Sequence, residues 1–166
     1  MLDEERLITA TMVRHRHSGA GKVGLGRPRS VRKAKRRLLM ISDDPGLVAV
    51  LSVTLERAFV VAATPTISGA YGYLGAGPPP DAVILDAPSL DSDVVNFVGS
   101  LRLMLPRCPA IILYEDGFAD AVPELTALVI HGFFRKPVRV NLLLSRLQAL
   151  LISPQALKLT ITPYED

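Results

Sequence analysis

The sequence predicts a doubly wound α/β domain, in which helices cover both faces of a parallel β-sheet. Two observations support this prediction. Short apolar runs typical of β-strands recur five times from Leu38 onward, and stretches with helical spacing separate them. Strands that are apolar on both faces and alternate with helices are typical of a parallel sheet that is buried on both sides.

The five runs mark the predicted strands, which in chain order are "LLMIS", "AFVVAAT", "DAVILDA", "AIILYE" and "GFFRKP". Three of the helical segments carry an apolar stripe at helical spacing. These stripes are Leu47, Val50, Leu51 and Leu55, then Val94, Val98, Leu101 and Leu105, and last Val140, Leu143, Leu144, Leu147 and Leu151. The Gly-rich segment "PTISGAYGYLGAG" predicts a short, weak helix. The segment "FADAVPELTALVI" contains Pro123, which suits a first helical turn.

The charges divide the chain into a basic arm and an acidic remainder. Residues 1–37 contain eleven Lys or Arg and three Asp or Glu, a net of +8, and residues 38–166 contain eight and thirteen, a net of −5, which together give +3. The arm has few apolar residues to bury, so we predict disorder over most of it. The predicted organisation is an arm of residues 1–37, a domain of residues 38–152 and a tail of residues 153–166.

The composition also excludes several classes of protein. The single cysteine, Cys108, excludes an internal disulfide and favours a reducing compartment. No apolar run reaches the length of about 18 residues that a membrane-spanning helix needs. The acidic start of the chain does not resemble a secretory signal. We therefore expect a cytoplasmic protein.

Charged residues follow the predicted strands at the points where the strands end. Asp43 and Asp44 follow the first run, Asp86 ends the third, and Lys136 follows the fifth. The carboxyl ends of parallel strands meet at one edge of a sheet, so we expect these side chains to converge there. Clustered carboxylates suit a hard divalent cation, and a lysine beside them suits a phosphoryl group. A simpler interpretation of Asp44, which directly precedes Pro45, is a helix N-cap.

This set of residues resembles the receiver domain of two-component response regulators, over roughly residues 37–151. The spacing agrees as well as the residue types, since 28 residues separate Asp86 from Tyr114 and 22 more lead to Lys136. The resemblance implies a (βα)5 flavodoxin-like fold with strand order 2-1-3-4-5. It also implies a signalling domain rather than an enzyme, one that at most phosphorylates and dephosphorylates its own aspartate.

The resemblance implies a role for each matching residue. Asp86 would accept a phosphoryl group from a histidine kinase or phosphotransfer protein, and Lys136 would pair with that group. Mg²⁺ would be bound by Asp43, Asp44, Asp86 and the backbone carbonyl of Pro88. Phe133 would be the aromatic switch residue, and Pro137 would follow a cis peptide bond.

The end of the fourth strand departs from the pattern of this family. Receivers normally have Thr or Ser there, followed by a small residue, whereas this chain has Tyr114 and Glu115. The hydroxyl of Tyr114 lies too far from the backbone to replace threonine, although Tyr114 could take part in switching with Phe133. Glu115 adds bulk and negative charge where a phosphoryl dianion should sit. The Gly-Ala pair expected before the fifth strand is replaced by Val129-Ile130.

Three hypotheses for function follow. The first is a stand-alone, atypical receiver phosphorylated at Asp86, whose output is protein contact through its fourth helix, fifth strand and fifth helix, or a homodimer. The second is a phosphorylation-independent pseudo-receiver that acts as an adaptor. The third is tethering of the arm to nucleic acid or to an anionic membrane. The residues that would do this are Arg27, Arg29, Arg32, Lys33, Lys35, Arg36 and Arg37.

Overall fold

The computed structural model describes residues 34–88, 91–115 and 129–152, which all fall within one compact unit that begins at Ala34. Its strands are β1 (Arg36–Ile41), β2 (Phe59–Thr64), β3 (Ala82–Asp86), β4 (Ala110–Tyr114) and β5 (Gly132–Arg135). Its helices are α1 (Pro45–Leu55), α2 (Ile67–Ala76), α3 (Ser92–Met104) and α4 (Val140–Ile152). The helix predicted around Pro123 and the tail of residues 153–166 lie outside the described residues, so α4 is the helix predicted after the fifth strand.

The five strands form one parallel sheet in the order β2-β1-β3-β4-β5, which confirms the predicted fold class and strand order. The chain leaves β1 toward β2 on one side and returns to β3 on the other. The strand order therefore reverses between β1 and β3, and a crevice is expected beyond the carboxyl ends of these two strands. Asp43 and Asp86 flank this crevice.

Capping side chains begin three of the helices. Asp44, Thr66 and Asp91 each have extended backbone and accept hydrogen bonds from the first free N–H groups of α1, α2 and α3. Gly69, in the first turn of α2, allows that helix to approach the end of β2. A Cβ atom at Gly69 would lie on the side chain of Thr64. The Gly-rich second segment thus forms a real helix that packs closely against the sheet.

Two apolar cores cover the two faces of the sheet. On one face, α2 and α3 pack over residues such as Leu39, Val83 and Ile112, and the ring of Tyr71 meets the edge of Phe97 with centroids 5.4 Å apart. On the other face, α1 and α4 pack over the alternate residues of the same strands. Because the central strands β1, β3 and β4 are buried on both sides, their apolar runs are continuous rather than alternating.

Two details differ from the sequence-based expectations. Strand β1 begins at Arg36, two residues before the predicted domain boundary, because Arg36 and Arg37 pair with Phe59 and Val60 of β2. Val50 was assigned to the buried stripe of α1 but is 60% exposed. Among the described residues, no helix combines the length and the apolar character that crossing a membrane requires.

Candidate functional site

Asp86 lies at the carboxyl end of β3, and its side chain is only 2% exposed. One carboxylate oxygen, Oδ2, accepts a hydrogen bond of 2.7 Å from the hydroxyl of Ser42, which follows β1. The other oxygen, Oδ1, lies 2.6 Å from the ammonium group of Lys136, which follows β5. The ends of three strands therefore hold one buried carboxylate between a hydroxyl donor and a cation.

Ser42 has no predicted role in the sequence-based interpretation, although its side chain links the ends of β1 and β3. Its hydroxyl donates to Asp86 and also accepts a bond of 3.1 Å from the backbone N–H of Asp44. The serine is itself buried, at 6% exposure. The signal in the sequence was a small hydroxyl residue directly after a buried strand, at the position where the strand order reverses.

Lys136 contacts two carboxylates. Besides Asp86, its ammonium group donates to Oε1 of Glu115, the residue that follows β4, at 3.3 Å. Partial burial alone would lower the pKa of Lys136, but the hydrogen bonds and negative charges of Asp86 and then Glu115 outweigh it, and the pKa is raised. The lysine is therefore a firmly protonated cation shared between a buried and an exposed carboxylate.

Glu115 brings its charge to the cation of the site. Its side chain is 57% exposed, so it reaches Lys136 from the solvent side while Asp86 approaches from the buried side. The sequence predicts a negative charge at this place. The pairing of that charge with Lys136, which the resemblance assigns to a phosphoryl group, is visible only in the structure.

The three aspartates do not converge as expected. The Oδ1 atom of Asp44 accepts bonds of 2.8 and 3.1 Å from the backbone N–H groups of Gly46 and Leu47, so its carboxylate caps α1. Asp43 instead lines, with Asp86 and Pro88, a cavity of about 170 Å³ at the switch in strand order. Within the described ranges, no group of three or more His, Cys, Asp or Glu side chains is arranged to hold a metal ion.

What remains is a smaller set of oxygen donors that fits Mg²⁺. This ion commonly takes one or two protein carboxylates and keeps several water ligands. Asp43, Asp86 and Pro88 line one cavity, and carboxylate and backbone carbonyl oxygens are the hard donors that this ion takes. The Oδ1 atom of Asp44 caps α1, so the predicted ligand role of Asp44 stays a prediction that concerns its second carboxylate oxygen.

The two aromatic residues assigned to switching lie on the same face of the sheet. Phe133 is 2% exposed and belongs to the core under α2 and α3, and Tyr114 is half-buried against that core. Phe133 pairs in register with Ile112, two residues before Tyr114 on β4. The Lys136–Pro137 peptide bond that follows β5 is cis.

The basic residues of the predicted arm are only partly described. Arg27, Arg29, Arg32 and Lys33 lie outside the described residues. Lys35 donates to the backbone carbonyl of Glu56 at 2.6 Å, and Arg36 and Arg37 belong to β1. Three of the seven residues assigned to polyanion binding are therefore part of, or bound to, the folded domain.

A second cluster of ionisable groups lies at the amino end of the sheet. His131, just before β5, is 1% exposed, and its Nδ1 atom accepts a hydrogen bond of 3.2 Å from the N–H of Ala110. Arg146 on α4 donates two bonds, of 3.1 and 2.7 Å, to the carbonyl of His131. Arg102 on α3 donates one of 2.7 Å to the carbonyl of Cys108.

Burial controls the ionisation of this second cluster. It lowers the pKa of His131 to about 4, with further contributions from the positive charges of Arg102 and Arg146. Burial also raises the pKa of Cys108 to about 12. The histidine and the thiol are therefore neutral near pH 7, and the two arginines bind backbone carbonyls. These are structural roles, and the sequence analysis likewise assigned neither Cys108 nor His131 to a site.

Comparison with known proteins identifies the fold. No family model matches the sequence, and no curated protein resembles it closely enough in sequence to be matched. Solved structures with the same fold include a putative response regulator from Chloroflexus aurantiacus, with 21% identity and a TM-score of 0.64 over 72% of this chain and 100% of that one. The beryllium fluoride-activated receiver domain of DrrB, from Thermotoga maritima, has 18% identity and a TM-score of 0.63 over 72% and 100%.

The similarity extends to a protein with a different description. A structure described as adenylate cyclase from Rhodopirellula baltica has 17% identity and a TM-score of 0.64 over 74% of this chain and 91% of that one. At these identities the comparisons establish the fold, which is that of response-regulator receiver domains, and leave the chemistry of the pocket to its own residues.

Proposed function

We propose that this receiver-fold domain accepts a phosphoryl group at Asp86 and transmits the modification through protein contacts. One observation carries the proposal: a buried carboxylate at the end of β3 is held between Ser42 and the ammonium group of Lys136. A buried charge is costly even when it is paired, and an ion pair at a strand end adds little that an apolar pair would not. A cluster of this kind is therefore better explained by chemistry than by stability.

Ser42, Asp86 and Lys136 have separate roles in phosphoryl transfer. Ser42 holds Oδ2 of Asp86, which leaves Oδ1 to attack the phosphorus of a phosphohistidine. The new P–O bond forms as the P–N bond breaks, and the imidazole nitrogen keeps the electron pair and takes up a proton from water. Lys136, at 2.6 Å from Oδ1, then pairs with the phosphoryl oxygens. The domain acts on no substrate other than its own aspartate.

Mg²⁺ belongs to this proposal as a cofactor. Asp43, Asp86 and the carbonyl of Pro88 would hold it, and the ion would neutralise charge on the phosphoryl group. Asp44 would stay on the N-terminus of α1, where it orders the loop that carries Asp43.

Glu115 lowers the affinity of the site for a phosphoryl group. An incoming phosphoryl group and Glu115 both need the ammonium group of Lys136, and the two anions repel each other. The exposed carboxylate can turn toward water at small cost, since a solvent-exposed ion pair is worth at most about 1 kcal/mol. The site then accepts phosphate more weakly than a site with a small neutral residue in that position.

The second candidate function is a phosphorylation-independent adaptor, and the same ion pair favours it. In that case Glu115 acts as a permanent internal anion on Lys136, and the domain keeps one conformation. Tethering of residues 1–37 to nucleic acid or membrane is a separate proposal, and its test is a salt-dependent affinity that is lost when those residues are deleted.

The deciding experiment is NMR of the full chain with Mg²⁺ and beryllofluoride, run on the wild type, on Asp86→Asn and on Glu115→Gln. Magnesium-dependent shifts at Asp86, Lys136 and Phe133 are expected in the wild type. They should be absent in Asp86→Asn and should appear at lower beryllofluoride concentration in Glu115→Gln. A wild type that stays silent while Glu115→Gln responds would support the adaptor. Silence of both would overturn the phosphoacceptor proposal.

A further inference from the structure

The two edge strands of the sheet differ in length and charge. β5 has four residues, includes Arg135 and runs directly into Lys136. β2 has six residues, "FVVAAT", without a charge or a proline. Natural proteins protect open strand edges with short strands, charges, prolines or bulges, because an unpaired edge is ready to bind another strand. Within the part of the chain that the structure describes, β5 has two of these protections and β2 has none.

The helices beside β2 share its lack of charge. Neither α1 nor α2 contains a charged residue, whereas α3 contains Asp93 and Arg102, and α4 contains Arg146. Between Pro45 and Pro80 the sequence has only two charged residues, Glu56 and Arg57, and both lie in the turn before β2. The strand β2 and the helices α1 and α2 are therefore uncharged, and the charged residues beside them lie at the amino end of β2; these are Lys35, Arg36, Arg37, Glu56 and Arg57.

These uncharged elements also expose apolar side chains. Val53 on α1 is 68% exposed, and Val50 on the same helix is 60% exposed. Val60 of β2 is 54% exposed. A surface helix of a monomer normally turns polar residues to water, so exposed valines on an uncharged helix indicate a surface that becomes covered.

The register shows which peptide groups face the open edge. The carbonyl of Thr64 accepts a bond of 3.0 Å from the N–H of Ser42, so the peptide groups of Thr64 face β1. Because peptide groups alternate in direction along a strand, those of Val61 and Ala63 face away from β1. Each of these two residues presents one N–H donor and one carbonyl acceptor along the edge.

We infer that the β2 edge is a homodimer interface, in which β2 pairs antiparallel with β2 of a second copy and joins two five-stranded sheets into one. A two-fold axis at Ala62 would place Val61 of each copy opposite Ala63 of the other, with four backbone hydrogen bonds. The same axis, perpendicular to the sheet, brings α1 toward α1 on one face and α2 toward α2 on the other.

A second copy fits this surface better than a different partner does. In an isologous contact, residues beside the two-fold axis lie near their own equivalents, so a charge at that place would oppose a like charge. The uncharged strand β2 avoids this repulsion. It also offers nothing to attract a partner of either sign, such as a nucleic acid or a basic peptide. The interface uses neither Asp86 nor Lys136 and does not depend on the proposed function.

The test compares the mass of the full chain in solution across protein concentrations, for the wild type and two variants. Ala63→Lys places a charge on the open edge, where Ala63 is exposed. Leu142→Lys, at a 50% exposed position on α4, is the matched control. The wild type should dimerise, Ala63→Lys should raise the dimer dissociation constant at least about tenfold, and Leu142→Lys should leave it unchanged. Urea unfolding of each variant confirms that the fold is intact.

Hydrogen exchange provides an independent readout of the same contact. The amides of Val61 and Ala63 should exchange slowly at concentrations where the dimer forms and rapidly after dilution, whereas the amide of Ala62, which faces β1, should stay protected throughout. A monomer at millimolar concentration would overturn the inference. So would a dimer that Leu142→Lys disrupts and Ala63→Lys does not, or association only with lipid vesicles.

Discussion

The two ends of the sheet both gather charged residues, yet they use them differently. At the carboxyl end, Lys136 meets two carboxylates, and a cavity of about 170 Å³ reaches Asp86. At the amino end, Arg102 and Arg146 bind backbone carbonyls around a neutral histidine, and neither arginine lines the cavity of about 750 Å³ found there. Cavity size and charge alone would favour the amino end as the functional site.

The difference lies in what the charges are paired with. A guanidinium group that binds main-chain carbonyls is committed to the fold, because releasing it would leave those carbonyls unsatisfied. An ammonium group between two carboxylates can exchange one anion for another at modest cost. The carboxyl end is therefore suited to binding an anion, and the amino end to holding α3, α4 and the starts of β4 and β5 together. Substitutions at both ends of the sheet test this division.

The largest effect is expected from Lys136→Met. It leaves the carboxylate of Asp86 buried without its cation, and breaking a buried ion pair in this way costs about 3 kcal/mol or more of unfolding free energy. Urea unfolding at pH 7 measures the loss. The double variant Lys136→Met with Asp86→Asn removes both charges and should recover most of it. A double variant as unstable as the single one would contradict the role of the ion pair.

The contribution of Lys136 also depends on pH. Because its pKa is raised in the folded protein, the stabilisation is fully present below the unfolded value of 10.5 and is lost as the pH rises through the folded value. Wild-type stability should therefore fall above about pH 10 more steeply than that of Lys136→Met.

His131 should make the amino end sensitive to acid. Its folded pKa of about 4 lies below the unfolded value of 6.5, so the unfolded chain takes up the proton first as the pH falls. The protein should lose up to about 3 kcal/mol between pH 6.5 and pH 4 from this group, and no more below pH 4, since one pKa unit corresponds to about 1.4 kcal/mol. Unfolding at several pH values, with His131→Gln as the reference, isolates this loss.

Arg102→Met supplies a second readout of the same cluster. Removing its positive charge should raise the pKa of His131 measured by NMR, with no change at the carboxyl end. An unchanged titration of His131 would mean that burial and the charge of Arg146 keep the histidine neutral without Arg102.

Val129→Gly should stabilise the protein. Val129 has a φ of 54°, in the left-handed region that is unfavourable for a β-branched residue. Relief of this strain is expected to add about 1 kcal/mol to the free energy of unfolding. Thermal unfolding measures the gain, and Val129→Ala should give a smaller one. A loss of stability on Val129→Gly would show that the exposed side chain contributes more than the backbone costs.

The smallest effect is expected from Asp44→Ala, which removes the cap of α1 and should cost about 1 kcal/mol. Asp44→Ser keeps a capping oxygen and should restore most of that stability. Mg²⁺ binding, measured by NMR, should survive in Asp44→Ser and fail in Asp43→Ala. Loss of Mg²⁺ binding in Asp44→Ser would indicate that Asp44 is a ligand of the ion.

The sequence predicted the fold well because a strand that is buried on both faces has a continuous apolar sequence. Each of β1, β3 and β4 has such a run. The sequence placed Asp86 and Lys136 correctly at strand ends for the same reason. It did not reveal Ser42 or the pairing of Glu115, because such contacts depend on which side chains face each other between strands far apart in the chain. Asp44 was ambiguous in the sequence, since an aspartate before a helix can cap or bind metal.

The Val129-Ile130 pair illustrates a different limit. The resemblance led us to expect glycine and alanine before the fifth strand, and the structure keeps at Val129 the backbone conformation that glycine favours. The backbone conformation of this turn was therefore predictable from the resemblance, although valine does not favour it, because the surrounding contacts determine it. A propensity scale applied to valine alone would have predicted extended backbone there.

The burial of Phe133 determines what fraction of the unmodified protein has this ring turned outward. Exposing a buried phenylalanine to water costs about 2 to 3 kcal/mol, so a conformer with this ring turned outward would represent about 3% of molecules or fewer. A signal at Asp86 that reverses this ratio must supply more than that free energy through contacts made only in the outward conformer. If Phe133 is the switch residue of the proposed function, the core favours the conformer with the ring inward, and the size of this one side chain adjusts how strongly it does so.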